Sequence, residues 1–193
     1  MAGKQAKTIS NHELGQLLDA VKKTRYPLRN EVMVLLSFKA GLRAKEISCV
    51  TWSMMTDASG EIADALQLPD RASKGKSGRT IPLNTKLKDA LKRLHAETSP
   101  VCSDYVIKSE RGRKMLPGGI CRWFYQMYKN IRLDGCSSHS GRRTFGTKAM
   151  RSIGTVGGCP TDVQKLMGHS SLSMTARYID PNPEAQYKLV DII

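Results

Sequence analysis

An apolar run near the start of the chain constrains the fold more than any other feature. Within residues 28–40, apolar side chains occupy nearly every helical face from Val32 to Leu36, and Gly41 ends the segment. This pattern predicts a helix that other elements cover on all sides. The run is far too short to cross a bilayer, which takes about 20 apolar residues. We therefore expect a folded domain built around this helix.

Further segments have the one-sided apolar spacing of amphipathic helices. The clearest begins with Ser10 and Glu13, a capping-box pair that precedes a stripe of leucines. Similar spacing recurs within residues 87–94 and 120–131. The aromatic residues of the latter segment follow its stripe, so we expect them in the core rather than on a base-stacking surface.

Short strand patterns occur at residues 52–55, 66–68 and 80–83. Together with the helical segments they predict a mainly α fold with a small antiparallel β-sheet or hairpin. A chain of 193 residues can bury one substantial core. We therefore expect a single domain over residues 1–193, with residues 183–193 as a C-terminal tail segment.

The charge balance indicates a polyanionic partner. The chain has 31 Lys plus Arg against 17 Asp plus Glu, a formal net charge of +14. The basic residues cluster in particular segments, which favours nucleic acid over a membrane surface. The five cysteines include no close pair of the metal-binding kind, so we expect reduced thiols and no metal site. No secretory signal pattern follows Met1, and we expect a cytoplasmic protein.

One basic segment has the pattern of a hairpin tip. Residues 71–79 carry Arg71, Lys74, Lys76 and Arg79, with no acidic residue among them. Such a tip can reach a phosphate backbone, but a solvated loop would have the same composition. The residues alone leave the two interpretations even.

The last third of the chain carries residues suited to phosphate chemistry. His139 and Arg142 are three residues apart, so a helix would direct both toward one anion. Arginine donates two parallel hydrogen bonds to a phosphate and keeps its charge. Tyr178 follows His169, and a phenol can attack a phosphodiester when cations neutralise its oxygens. Arg43, at a predicted helix start, would by itself be taken for a surface charge.

Five motifs, in order and spacing, resemble the catalytic domain of the tyrosine recombinases, also called phage integrases. They are residues 41–47, the basic hairpin of residues 73–83, His139-x-x-Arg142, residues 166–169 (Leu-Met-Gly-His) and Tyr178. Each motif is weak by itself, but the set covers nearly the whole chain. The resemblance implies the recombinase fold in a compact member without the N-terminal core-binding domain, and a truncated fragment is the alternative.

The resemblance also implies which residues handle the scissile phosphate. Arg43 and Arg142 would grip it. Lys74 would protonate the departing 5′ oxygen, and Lys76 is the alternative lysine on the same hairpin.

The remaining catalytic roles fall to two histidines and a tyrosine. By resemblance, His139 would assist proton transfer at the nucleophile, His169 would donate a hydrogen bond to a phosphate oxygen, and Tyr178 would be the nucleophile. The residues predicted to contact DNA outside the reaction centre are Arg71, Lys76, Arg79 and Arg143.

The function implied by the resemblance is site-specific DNA recombination through a 3′-phosphotyrosine intermediate, leading to integration, excision or inversion. It needs no cofactor and no metal. The implied partners are double-stranded DNA with specific target sites, further copies of the chain in a dimer or tetramer, and accessory DNA-bending or DNA-binding proteins. The tail would dock on a neighbouring protomer or fold back on its own domain. The implied location is the nucleoid in the cytoplasm, and the implied source is a bacterium, a phage or another mobile element.

Two other functions stay open: supercoil relaxation of the type IB topoisomerase kind, and a DNA-binding regulator without activity. Three residues depart from the usual family pattern. Gly141 and Arg143 stand where a leucine and a histidine are usual, and Met167 replaces a leucine. We expect these departures to alter packing rather than chemistry.

Overall fold

A computed structural model describes residues 5–73 and 77–179, together with residues 187, 190, 191 and 193. Its α-helices, in chain order, are α1 Asn11–Lys22, α2 Pro27–Lys39, α3 Ala44–Cys49, α4 Thr85–Thr98, α5 Pro117–Asn130, α6 Ser140–Ser152, α7 Pro160–Met167 and α8 Leu172–Ala176. The strands are β1 Ala65–Leu68 and β2 Arg79–Pro82. Short 3-10 helices cover Trp52–Met54, Asp70–Ala72 and Ile153–Val156.

Helix α2 is the centre of the core, as the apolar run predicted. Every residue from Val32 to Phe38 is buried, and the helix packs against α1, α3, α4 and α6. Burying an aliphatic or aromatic side chain of this size contributes about 1.5–3 kcal/mol relative to leaving it exposed. The elements that surround α2 therefore have fixed positions relative to one another.

Helix α1 has the capping box that its sequence predicted. The Ser10 hydroxyl accepts from the N–H of Glu13, and the Glu13 carboxylate accepts from the N–H of Ser10. Just before it, the N–H of Ile9 donates to the Thr144 hydroxyl of α6 at 2.8 Å. This bond fixes the segment that precedes α1 beside α6.

The two strands form an antiparallel pair in which Ala65 faces Pro82 and Leu68 faces Arg79. This pair and the eight helices of the described residues confirm the predicted fold class. The strand predicted at residues 52–55 is wrong, because Trp52–Met54 is a 3-10 helix. Its buried and exposed residues alternate as they would on a strand, which explains the error.

The packing of the helices brings several of their ends together. Helix α6 packs against both α2 and α7, and α7 packs against α8 and β2. The starts of α3 and α6 and the turn after α7 therefore meet on one side of α2. None of the helices in the part of the chain that the structure describes is long and apolar enough to cross a membrane.

Candidate active site

A cavity of about 460 Å³ lies where these helix ends meet. Its walls include five of the six residues predicted to be catalytic: Arg43, His139, Arg142, His169 and Tyr178. The sixth, Lys74, and its alternative Lys76 lie outside the described residues. Residues that are 135 positions apart in the chain thus line one space.

Arg43 reaches the cavity because the chain turns sharply before α3. Gly41 has a φ of +63°, and a Cβ there would lie 2.5 Å from the ring of Phe145. Only glycine suits both this conformation and this close approach. Arg43 follows as the N-cap residue of α3, with 19% of its side chain exposed.

Glu46 is a member of the site that the sequence analysis did not identify. Its carboxylate is fully buried and accepts from the backbone N–H of Arg43 at 2.8 Å and from Arg43 Nη1 at 2.9 Å. Arg79 donates to both of its oxygens, at 3.1 and 3.2 Å. Burial alone would raise the pKa of Glu46, but the hydrogen bond and charge of Arg79 lower it below its ordinary value. The carboxylate is therefore ionised and organises the arginines around it.

Arg142 lies deeper in the site and is 4% exposed. Its Nη1 donates to the Gly41 carbonyl and its Nη2 to the Met167 carbonyl, each at 2.6 Å. Burial and the charge of Arg43 lower the pKa of Arg142 to about 10, so the guanidinium stays protonated at neutral pH. It is a fixed positive charge in the wall of the cavity.

His169 is held in one tautomer by its two partners. Arg142 Nη2 lies 3.1 Å from Nε2, and arginine can only donate, so Nε2 is the acceptor. Nδ1 therefore carries the proton and donates to the Thr175 hydroxyl at 2.9 Å. Burial and the charge of Arg142 lower the pKa of His169 to about 4. The ring is neutral at pH 7.

Tyr178 lies between His169 and α6. Its ring stacks on the imidazole, with centroids 5.6 Å apart and planes 12° apart. A Cβ on Gly146 would lie 2.8 Å from the tyrosine ring, so α6 accommodates the ring only because residue 146 is glycine. Helix α8 ends at Ala176, two residues before Tyr178.

His139 is the most accessible of the predicted catalytic residues that the structure describes. It is exposed and is the N-cap residue of α6. The Ser137 hydroxyl accepts from the backbone N–H of His139 at 3.2 Å. The imidazole lines the same cavity as Arg142.

The residues predicted to bind DNA lie in different environments. Arg71 is exposed, whereas Arg143 is half-buried in the cavity wall and donates to the Ala6 carbonyl at 3.1 Å. Arg79 is only 6% exposed and is paired with Glu46. The Arg79 side chain thus lies largely inside the protein, and its predicted contact with DNA stays a prediction. Gln5, Met174 and Arg177 also line the cavity, and no sequence motif indicated them.

The phage integrase family model matches residues 7–185 of the chain, a range that includes all of these side chains. The chain belongs to the phage integrase family.

Within this family, the curated relatives that match are longer proteins. A tyrosine recombinase XerD of Vibrio vulnificus is 30% identical over 185 residues, which cover 89% of this chain and 55% of that protein. The chain thus spans about half the length of the relative.

Solved structures of the same fold superpose over the whole chain. The Tn1549 transposon integrase in complex with a circular intermediate DNA matches with a TM-score of 0.76 at 17% identity, covering 100% of this chain and 67% of the other. The XerH site-specific recombinase bound to difH substrate matches with a TM-score of 0.75 at 18% identity, covering 100% and 55%. At these identities the likeness establishes the fold.

Two of the departures from the family pattern have physical reasons in this chain. At Gly141 a Cβ would collide with the Ser37 hydroxyl and lie 2.8 Å from Phe38, because α6 crosses α2 closely there. Met167 is fully buried and gives its carbonyl to Arg142. Both residues act through packing, as expected.

Proposed function

We propose that the chain is the catalytic part of a site-specific tyrosine recombinase, which cuts and rejoins double-stranded DNA through a 3′-phosphotyrosine intermediate. One observation carries the proposal. Tyr178 lies in the same cavity as two arginines, and its ring stacks on a histidine that one of those arginines fixes. Family membership and the DNA-bound state of the Tn1549 integrase and XerH structures support it.

The arginines supply the phosphate site. Arg43 and Arg142 line one cavity, so a phosphodiester placed in it would lie near two permanent positive charges. Such charges stabilise the negative charge that develops on the phosphate oxygens during transfer. Glu46 and the carbonyls of Gly41 and Met167 hold the guanidiniums in advance of binding, which lowers the cost of organising the site.

The reaction breaks one phosphoester bond and forms another. The Tyr178 oxygen attacks the phosphorus, the bond from phosphorus to the 5′ oxygen breaks, and the 3′-phosphate stays on the tyrosine. A phenol attacks well only when a base takes its proton, and we assign this role to His139, which is exposed in the cavity. Lys74 would give a proton to the departing oxygen. Rejoining reverses these steps without ATP, because the phosphoester energy is kept in the intermediate.

For His169 we propose a different role from the one that the resemblance implied. In the described tautomer its Nε2 accepts from Arg142, so this nitrogen has no proton to donate to a phosphate oxygen. We propose that His169 orients Arg142 and supports the ring of Tyr178 before DNA binds.

We also propose that the protein acts in the cytoplasm on the nucleoid, with accessory DNA-binding proteins and in dimers or tetramers. Most of the tail predicted to dock on a neighbour lies outside the described residues. Its described apolar members Tyr187, Val190 and Ile193 are 76%, 71% and 96% exposed. A second copy could cover them with the apolar groove beside Val156 and Val163.

The test is covalent trapping on labelled duplexes that carry the repeats flanking the coding sequence, each nicked near a candidate cleavage position. We expect a denaturant-resistant complex with the native chain and none with Tyr178→Phe, which still binds the duplex. A complex that persists in the variant would refute the assignment of Tyr178. Binding without any covalent complex would favour a regulator, and relaxation of any supercoiled plasmid would favour a topoisomerase.

A further inference from the structure

Arg79 joins three segments of the candidate site. Its Nε–H donates to the Leu166 carbonyl at 2.9 Å, and its two terminal nitrogens donate to the two oxygens of Glu46. A Cβ on Gly168 would lie 2.8 Å from Arg79 Nη1, so the turn before His169 packs directly on the guanidinium. One side chain of β2 thus contacts α3 and the turn after α7.

The same side chain changes how the other arginines share the Glu46 carboxylate. Arg43 Nη1 donates to Oε1 at 2.9 Å, whereas Arg142 Nη1 stays 3.8 Å from Oε2, beyond hydrogen-bond distance. Arg79 takes up acceptor capacity on both oxygens. A fully buried carboxylate that lost this partner would keep only its hydrogen bonds from Arg43, and an incompletely paired charge is costly in a protein interior. The nearest cations able to compensate are Arg43 and Arg142.

We propose that Arg79 is a positioning residue: by pairing with both oxygens of Glu46, it prevents the carboxylate from capturing Arg142 and leaves Arg43 and Arg142 available to the scissile phosphate. The effect of Arg79 on catalysis rests on the proposed function. Its effect on the position of Arg142 does not, because the distance between Arg142 and Glu46 can be measured without DNA.

The structural test is a set of crystal structures. In Arg79→Met we expect the Arg142 Nη1 to Glu46 Oε2 distance to shorten from 3.8 Å to hydrogen-bond range. Arg79→Lys, whose single ammonium cannot cover two oxygens in the arginine geometry, should give an intermediate distance and serves if the methionine variant does not fold. Arg93→Met, which removes a surface partner of Glu31, is the matched control. An unchanged distance in the lysine and methionine variants overturns the proposal.

The catalytic test adds Glu46→Gln to Arg79→Met. At saturating DNA we expect the single variant to form the covalent complex about 100-fold more slowly, as for a displaced catalytic group. The double variant lacks the negative charge that would capture Arg142. We expect it to form the covalent complex at least about tenfold faster than the single variant. Because the two side chains are in contact, their effects on stability are coupled, so the free energy of unfolding of both variants is measured alongside. A purely structural role predicts that any recovered rate follows recovered stability, whereas the proposal predicts a higher rate of the folded double variant at equal stability.

The pH profile separates the two roles further. Glu46 is faced by Arg43 from α3, Arg79 from β2 and Arg142 from α6. Arg79 is the main cause that lowers the pKa of Glu46, so removing Arg79 shifts this pKa upward. A protonated Glu46 does not hold Arg142, so the cleavage rate of Arg79→Met relative to the native chain should rise as the pH is lowered. A purely structural role of Arg79 predicts no such rise.

The two proposals fail in different ways. If the native chain forms no covalent complex, the proposed function fails, and the crystallographic distance still decides the role of Arg79. If the native chain cleaves DNA, the double variant recovers nothing and Arg142 does not move, the role of Arg79 is refuted and the recombinase function stands.

Discussion

The phenol ring of Tyr178 lies almost parallel to the imidazole of His169, with centroids 5.6 Å apart and planes 12° apart. The imidazole is itself held by the Thr175 hydroxyl and by Arg142. Because α8 ends at Ala176, this buried network positions the tyrosine, and no helix does.

The network predicts the effect of Thr175→Val. Valine keeps the shape of this fully buried residue but removes the acceptor for the Nδ1–H of His169. We expect the free energy of unfolding to fall by about 1–3 kcal/mol, since a buried donor loses its partner. Nitrogen NMR should find the proton on Nδ1 in the native chain and, because Arg142 still donates to Nε2, on Nδ1 in the variant as well. The Nδ1 resonance should shift in the variant, because its hydrogen-bond acceptor is lost.

A matched control for this experiment is Thr144→Val. Its hydroxyl is also buried and accepts from the N–H of Ile9, at a site where no contact with His169 is made. A similar loss of stability is expected, with the Nδ1 resonance of His169 unchanged. A proton found on Nε2 in the native chain, or an Nδ1 resonance that does not shift in Thr175→Val, would refute the assigned tautomer.

Gly146→Ala should separate activity from stability. Alanine is favoured over glycine within a helix by about 0.5–1 kcal/mol, but here its Cβ would lie 2.8 Å from the ring of Tyr178. We expect the free energy of unfolding to change by less than about 1 kcal/mol and covalent complex formation to fall about 100-fold, because the nucleophile is displaced. Gly15→Ala on α1, which meets nothing within 4 Å, should raise stability and leave complex formation unchanged. Equal activities of the two variants would contradict this packing.

Local patterns predicted most of the fold. The core position of α2 follows from its own composition, and the capping box of α1 from Ser10 and Glu13. The segment around Trp52 was assigned wrongly because alternating burial does not distinguish a strand from a short 3-10 helix. Here a backbone hydrogen bond from Met54 to Thr51 decides the conformation, and no side-chain pattern reports it.

The site was predictable where a motif carries the chemistry, and not where a distant partner does. His139, Arg142, His169 and Tyr178 belong to motifs, and the cavity brings them together. Arg79 resembled the other basic residues of its hairpin, because its partner Glu46 is 33 residues earlier in the chain. The sequence of a basic segment does not show which of its charged side chains is buried.

The pKa of His169 predicts part of the acid sensitivity of the fold. Burial and the charge of Arg142 lower it from 6.5 to about 4, so the unfolded chain takes up this proton at a higher pH than the folded chain. The stability that the neutral ring contributes is complete above pH 6.5 and is lost as the pH falls toward 4. Between pH 7 and 4.5, His169→Phe should therefore lose less of its free energy of unfolding than the native chain does. The two losses should differ by about 1–2 kcal/mol after solvent screening. Urea denaturation of both chains at the two pH values measures these losses. Equal losses in the native chain and the variant would contradict the lowered pKa of His169.

The effect of Glu46→Gln on stability should change with pH in a lower range than the effect of His169→Phe. The pKa of Glu46 lies below its ordinary 4.5 because the hydrogen bond and charge of Arg79 outweigh the effect of burial. The stability that the carboxylate contributes is therefore present above pH 4.5 and is lost as the pH falls through the folded pKa. At pH 7 we expect the variant to be about 3–5 kcal/mol less stable, because buried arginines lose their anion.

The difference in stability should narrow as the pH falls through the folded pKa of Glu46, because the protonated carboxyl resembles the glutamine. Glu31→Gln, which removes the partly exposed partner of Arg93, should cost less than about 1 kcal/mol at pH 7. Urea denaturation of the three chains at pH 7 and at a series of lower pH values tests this. If Glu46→Gln is as stable as the native chain at pH 7, the ionised carboxylate does not hold the arginines, and the proposed reason for its pairing with Arg79 is wrong.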